Sequence, residues 1–288
     1  MAEKDISEKI LEDHADVFAD IVNGFCFQGR EVVKPDELEP MNLRSAYRAE
    51  AELHDVERDV AKRWKKNGIR IACVGFENQT TADPDMVLRV YGYDGAEYRA
   101  QCLKENEAKP RYPVVTLVLY FGYKQRWTEA KSLYEAVDVP DVFKPFVSDV
   151  KLNVFEVAWL SDEQVKRFKS DFRIVADYFV QKRKTGAYEG SLDEIHHFYE
   201  VLQLLKVMEH DDRYEKVYYD LTAKGGRRNM CDVIDRYINM GEEKGKALGR
   251  QETLKEVINN LRAYGNTDEK IADMLKLSFS QVQQVPRT

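Results

Sequence analysis

Apolar positions recur at helical spacing near the start of the chain. Ile6, Ile10, Leu11, Val17, Phe18 and Ile21 fall on one face, and Gly24 is the expected stop. A charged, irregular stretch follows over residues 30–44, with Pro35 and Pro40 as breakers. At residue 59 the pattern changes to strand. Residues 59–64 and the apolar run 69–76 flank Asn67-Gly68, a strong hairpin signal because both residues tolerate positive φ. Asp83-Pro84-Asp85 reads as a turn with Asp83 as helix cap, and residues 86–103 as the helix it starts. Residues 112–121 are almost continuously apolar, which predicts a strand buried on both faces. Residues 151–160 give a last strand.

Beyond Ser161 the period becomes helical and stays so. Ser161 and Gln164 form a capping box, and Val165, Phe168, Phe172, Val175 and Phe179 make an apolar stripe. Further helices are predicted over residues 193–208 and 231–260. The order predicts an α/β core with a helical C-terminal part. We divide it into a core over 1–160, a helical region over 161–238 and a helical tail over 239–288.

The 43% hydrophobic and 11% aromatic content is enough for a sizeable packed core and argues against wholesale disorder. The formal net charge of -7 is not the average of a nucleic-acid binder. A nuclease needs only a local basic groove around an acidic metal site, so the balance weighs against that class without excluding it. The charged start carries no signal-peptide core, and no apolar run approaches a membrane span, so a cytoplasmic location is expected. Cys26, Cys73, Cys102 and Cys231 lie far apart with no CxxC pair, and buried free thiols are expected.

The candidate chemistry begins with Asp59 and the tetrad Glu77-Asn78-Gln79-Thr80. On a strand Glu77 and Gln79 share a side. A hairpin turning at Asn67-Gly68 would set the Asp59 carboxylate beside Glu77. Two carboxylates with the backbone carbonyl of Asn78 make an all-oxygen site suited to Mg²⁺ or Mn²⁺. Gln79 would orient water or contact a phosphate; it cannot be a general base, because an amide does not titrate in this range. An acidic residue and an amide at the end of an apolar strand more often mark only where a strand meets water, and the spacing alone does not separate the two. The five histidines are scattered, with none at ligand spacing to another His or a Cys, and His196-His197 reads as helix surface.

Four segments together carry a resemblance: residues 57–64 (ERDVAKRW), 75–80 (GFENQT), 85–90 (DMVLRV) and 112–122 (YPVVTLVLYFG), with the later run 168–178. In this order the chain resembles the Rpn family of recombination-promoting nucleases, also described as transposases, over roughly residues 13–235. The resemblance implies a PD-(D/E)XK, restriction-endonuclease-like core, with a mixed central sheet flanked by helices, and metal-dependent cleavage of DNA in recombination, element mobility or defence. Asp59 then matches the metal-binding Asp and Glu77 the Glu of the E-x-Q motif. Gln79 stands where other nucleases of this type carry Lys. No Pro precedes Asp59, and Asp55 or Glu57 are alternative ligands. Asp16 or Asp20 could add a carboxylate from the first helix. Nothing in the matched residues implies strand transfer.

DNA contacts are expected first at Arg89, Lys62 and Arg63, with Lys65, Lys66, Arg70 and Arg99 nearby; charge runs of this kind are also ordinary solvated faces. In the tail, Gly241, Gly245 and Gly249 repeat every fourth residue, which suits either a close helix contact in a homo-oligomer or a flexible connector. Thr267 and Ser278 cap two short helices in a helix-turn-helix-like pair. Its second helix is Gln-rich and has only Arg287 as a nearby cation, which favours packing over DNA reading.

Overall fold

The computed structural model describes residues 11–40, 44–49, 52–57, 60–66, 68–74, 82–103, 110–225 and 228–286. It divides into two compact units, Met1–Val233 and Ile234–Thr288.

The first unit is built on a mixed five-stranded sheet. Its strands are β1 (Leu38–Pro40), β4 (Val60–Trp64), β5 (Ile69–Val74), β6 (Val114–Tyr120) and β7 (Asn153–Glu156), in that spatial order. β1–β4 and β4–β5 are antiparallel, whereas β5–β6 and β6–β7 are parallel. The expected hairpin is present: Trp64 pairs with Ile69, and Gly68 takes φ 61° in the connecting turn, a conformation glycine adopts without penalty. β6 is an interior strand, paired on both sides, and Leu117, Val118, Leu119 and Tyr120 are fully buried, as its unbroken apolar run predicted.

A parallel neighbour requires a crossover, and helix α2 (Met86–Ala100) supplies it between β5 and β6. It runs antiparallel to β6. Met86 and Val90 pack with Val118, Tyr120 and Trp127 at one end. At the other, the Gln101 side chain exchanges hydrogen bonds with the Tyr112 backbone, 2.9 Å and 3.1 Å. Asp83 is not the helix cap. Its carboxylate accepts the Asp85 N–H at 2.9 Å in a turn, and Asp85 takes the cap position.

Helix α1 (Ala15–Cys26) buries Val17, Phe18, Ile21 and Val22. Gly24 does not end it. A Cβ there would lie 2.1 Å from the Phe168 ring, so the glycine allows a close approach instead. The stripe from Val165 to Phe179 is also not one helix. After a one-turn α3 (Leu133–Ala136), another one-turn helix, α4 (Asp162–Val165), capped by the expected Ser161–Gln164 box, is separate from α5 (Phe172–Thr185). Asp20 interrupts the stripe by drawing the N–H groups of Lys169 and Ser170 to its carboxylate. The last strand is shorter than expected, since the chain turns into a 3₁₀ segment (Val157–Trp159) whose Val157 and Ala158 are fully buried. Helices α6 (Phe198–Glu209) and α7 (Arg213–Lys224) complete the unit.

Two further strands, β2 (Arg44–Ala49) and β3 (Glu52–Glu57), form a separate two-stranded sheet in which Ala46 pairs with Asp55 and Arg44 with Glu57. Their mixed, charged sequences carry no alternation that the reading could use. The thiol expectation fails at Cys26 and Cys102, which are exposed. Among the described residues no helix is long and apolar enough to cross a membrane.

The long helix α8 (Met230–Ala263) leads into α9 (Asp268–Leu275) and α10 (Phe279–Gln283). In the second unit Ile258, Ile271, Ala272, Val282 and Val285 form a small core. Arg262 ties it by donating to Asp268 at 2.7 Å and to the carbonyls of Val282 and Val285, both at 2.8 Å. A Cβ on Gly245 or Gly249 would meet nothing within 4 Å, so neither glycine serves a close contact within this chain.

Candidate functional site

Parallel β5, β6 and β7 end at one edge of the sheet, and antiparallel β4 begins there, because Val60 pairs with Cys73. The N-terminus of α2 arrives at the same edge, since Met86 packs on Tyr120, the last residue of β6. Carboxyl ends of parallel strands are where open α/β sheets bind ligands. Asp59, Glu77, Asn78 and Gln79, the residues read as catalytic and metal-binding, lie outside the described residues. Their described neighbours in sequence, Val60 on one side and Val74 and Ala82 on the other, belong to this edge.

The edge is lined by organised polar groups. Arg89 donates to Asp83 at 2.5 Å and to the Tyr93 hydroxyl at 3.2 Å, and its side chain is about a third exposed. Glu156, the last residue of β7, accepts the Trp127 N–H at 2.9 Å and a guanidinium N–H of Arg126 at 3.2 Å. The Arg126 guanidinium in turn lies 4.6 Å from the centre of the Trp159 ring. Burial, and then the nearby Glu156 charge, push the Tyr120 hydroxyl above its usual range, so it stays a neutral donor, to the Gln125 carbonyl at 3.1 Å.

The other expected DNA contacts stand elsewhere. Lys62 is buried, and its ammonium donates to the Asp13 carbonyl at 2.7 Å and carboxylate at 2.9 Å. A phosphate has no open side from which to approach it. Arg70 is 1% exposed and is ion-paired with Glu97, which also accepts the Tyr112 hydroxyl at 2.8 Å. Arg63 lies over the Tyr112 ring at 5.4 Å. Lys65 and Lys66 are exposed at the hairpin tip, near Glu39 and Glu37. The four residue steps from Val60 to Trp64 put that tip about 13 Å from the ligand-binding edge. These cations therefore belong to the hairpin's own packing and its far end.

The carboxylates suggested on the first helix also have partners. Asp20 accepts from the N–H groups of Lys169 and Ser170 at 2.8 Å and 2.7 Å and from the Ser170 hydroxyl at 2.7 Å. Burial raises its carboxyl above the ordinary value, and these donors only partly offset that. Asp16 sits by His197 Nε2 at 2.9 Å. Burial there acts upward, but the bond to and charge of His197 prevail and hold the Asp16 carboxyl low. His14 stacks on His197 with ring centroids 3.8 Å apart. This pairing escaped the sequence reading, because 181 residues separate Asp16 from His197 and no spacing rule reaches that far.

Residues 30–211 match the family model described as "Putative transposase, YhgA-like". Searches of curated proteins and of solved structures gave no match.

Proposed function

The chain belongs to the YhgA-like putative transposase family, and from that premise we propose that it is a metal-dependent DNA endonuclease on a PD-(D/E)XK-type core, acting in the movement or rearrangement of DNA. The observation that carries this reading is the shared edge of β4 and β5. Asp59 is bonded to Val60, and Glu77 follows Val74 by three residues, a span of at most about 11 Å. Val60 and Cys73 are direct partners in the sheet. Two carboxylates that start from neighbouring strand ends can meet at one point. Asp55 and Glu57 start from β3, in a different sheet, which favours Asp59 as the ligand.

The donor set fits the ion. Asp59, Glu77 and the Asn78 carbonyl offer only oxygen, the preference of Mg²⁺ and Mn²⁺. When bound, such an ion lowers the pKa of water and offsets charge on the scissile phosphate. The protein's own part is positioning. Asp59 and Glu77 would hold the ion, and Gln79 would orient the attacking water by hydrogen bonding without taking its proton. Arg89, kept at the edge by Asp83, can exchange that carboxylate for a phosphate oxygen of the DNA.

One observation favours a second reading, a non-catalytic binding module on the same fold: Lys62 and Arg70, expected to face phosphates, are buried in ion pairs. Plasmid nicking with Mg²⁺ or Mn²⁺ separates the two. Wild type should nick, and folded Asp59→Ala and Glu77→Ala proteins should not. Equal nicking by all three would remove the assigned centre. No nicking by wild type would favour the binding module.

A further inference from the structure

Two helix starts meet on the first unit and bring three ligand-type side chains together, with a fourth beside them. His14 occupies the cap position of α1 and Asp16 its first turn. His197 occupies the cap position of α6 and Glu200 its first turn. One donor atom from each of His14, Asp16 and His197 lies within 4.8 Å of the others. Glu200 lies 3.5 Å from His14 Nε2, beside this three-residue group. None of these residues takes part in the proposed cleavage.

We propose that His14, Asp16 and His197, with Glu200 as a fourth donor, form a binding site for a first-row divalent transition metal, Zn²⁺ being the representative ion. The chemistry of the donors selects this class. Imidazole nitrogen suits Zn²⁺, Co²⁺, Ni²⁺ and Fe²⁺, whereas Mg²⁺ prefers the all-oxygen set at the other centre. Two neutral imidazoles and two carboxylates carry two negative charges, which one divalent ion balances. Metal binding would replace the His197–Asp16 and His14–Glu200 contacts, 2.9 Å and 3.5 Å long, with bonds to a common ion. The rings are stacked with an inclination of 26°, so an ion held by both would turn them apart until the two in-plane lone pairs meet at it.

The site is also held in place. The buried carboxylate of Asp171 accepts the backbone N–H groups of His196 and His197 at 3.2 Å and 2.5 Å, fixing the start of α6. Lys62 donates to the Asp13 carbonyl and fixes the chain immediately before α1. Both anchors act through backbone, which leaves the imidazoles free to ligate. Support of this kind around first ligands tunes metal affinity in known sites. Asp16 also lines a cleft of about 600 Å³ beside the group. Its lining carries more carboxylates than ammonium or guanidinium groups, a field that draws cations in. A bound ion would cross-link α1 to α6.

The test uses the full chain, stripped with a chelator and titrated with Zn²⁺ by calorimetry in excess Mg²⁺, and with Co²⁺ followed by visible absorption. One equivalent of Zn²⁺ should bind, with a Co²⁺ spectrum of mixed nitrogen and oxygen ligation and an upward shift in Tm. His197→Gln and His14→Gln should weaken it by more than the roughly 10–100-fold that loss of an outer partner costs. Asp16→Asn, which can keep a hydrogen bond to His197, gives the same readout if either Gln variant unfolds. Asp59→Ala and Glu77→Ala should leave this equivalent intact, so the proposal stands or falls apart from the nuclease reading. Absence of Zn²⁺ binding by wild type would overturn it. So would equal binding by the His variants, or loss of the equivalent in Asp59→Ala.

Discussion

Asp20 separates a structural carboxylate from a catalytic one, and Asp20→Ala is the perturbation that tells which it is. The carboxylate is 9% exposed and accepts three hydrogen bonds, two of them from the backbone N–H groups of Lys169 and Ser170. Each bond to a charged acceptor contributes about 1.5–3 kcal/mol. The full loss is not expected, because the Ser170 hydroxyl can turn and water can enter from the cleft that Asp20 lines. About 2–4 kcal/mol remains, the cost of leaving two backbone donors poorly satisfied at the start of α5. For a unit of this size that corresponds to a fall in Tm of roughly 5–15 °C. Urea and thermal unfolding read it directly, and Asp20→Asn, which keeps one acceptor oxygen, should cost less.

The pH dependence carries a sign. Burial raises the folded carboxyl above its ordinary 3.8, so the native protein takes up this proton before the unfolded chain does. Acidification through the window between the raised value and 3.8 therefore adds stability from this group, and rising pH through it removes that contribution. Asp20→Asn should flatten that part of the stability profile. A variant Asp20→Ala that unfolds like wild type but loses DNA cleavage would refute the structural assignment and return Asp20 to the metal centre.

Two other substitutions probe the packing. Gly24→Ala should destabilise by about 1–3 kcal/mol in urea unfolding, the usual cost of overpacking, because its Cβ would fall 2.1 Å from the Phe168 ring, itself held against Phe25 and Phe172. A neutral result would mean that α1 shifts freely against Phe168. Glu97→Ala should cost about 3–5 kcal/mol by leaving the buried Arg70 guanidinium without its ion-pair partner, whereas the double change Arg70→Met with Glu97→Leu should recover most of that. Equal loss in single and double variants would show that the pair is not the source of the effect.

Sequence periodicity by itself determined much of the sheet unit. The Asn67-Gly68 signal marked the hairpin between β4 and β5, and the unbroken apolar run marked β6 as a buried strand, because turn chemistry and two-sided burial leave local marks. The capping box at Ser161 and the caps at Thr267 and Ser278 were equally local, since a cap needs only residues three positions apart. Family membership was legible from the order of short segments. What the tertiary structure alone decided depended on partners distant in the chain. Asp20 breaks the helical stripe near Ser170 from 150 residues away, and Asp13 buries Lys62 across 49. Phe168, not a helix end, explains Gly24. The strands β2 and β3 were hidden because a charged hairpin has no apolar face to alternate. The meeting of His14, Asp16 and His197 followed from the packing of α1 against the start of α6, which no local pattern encodes.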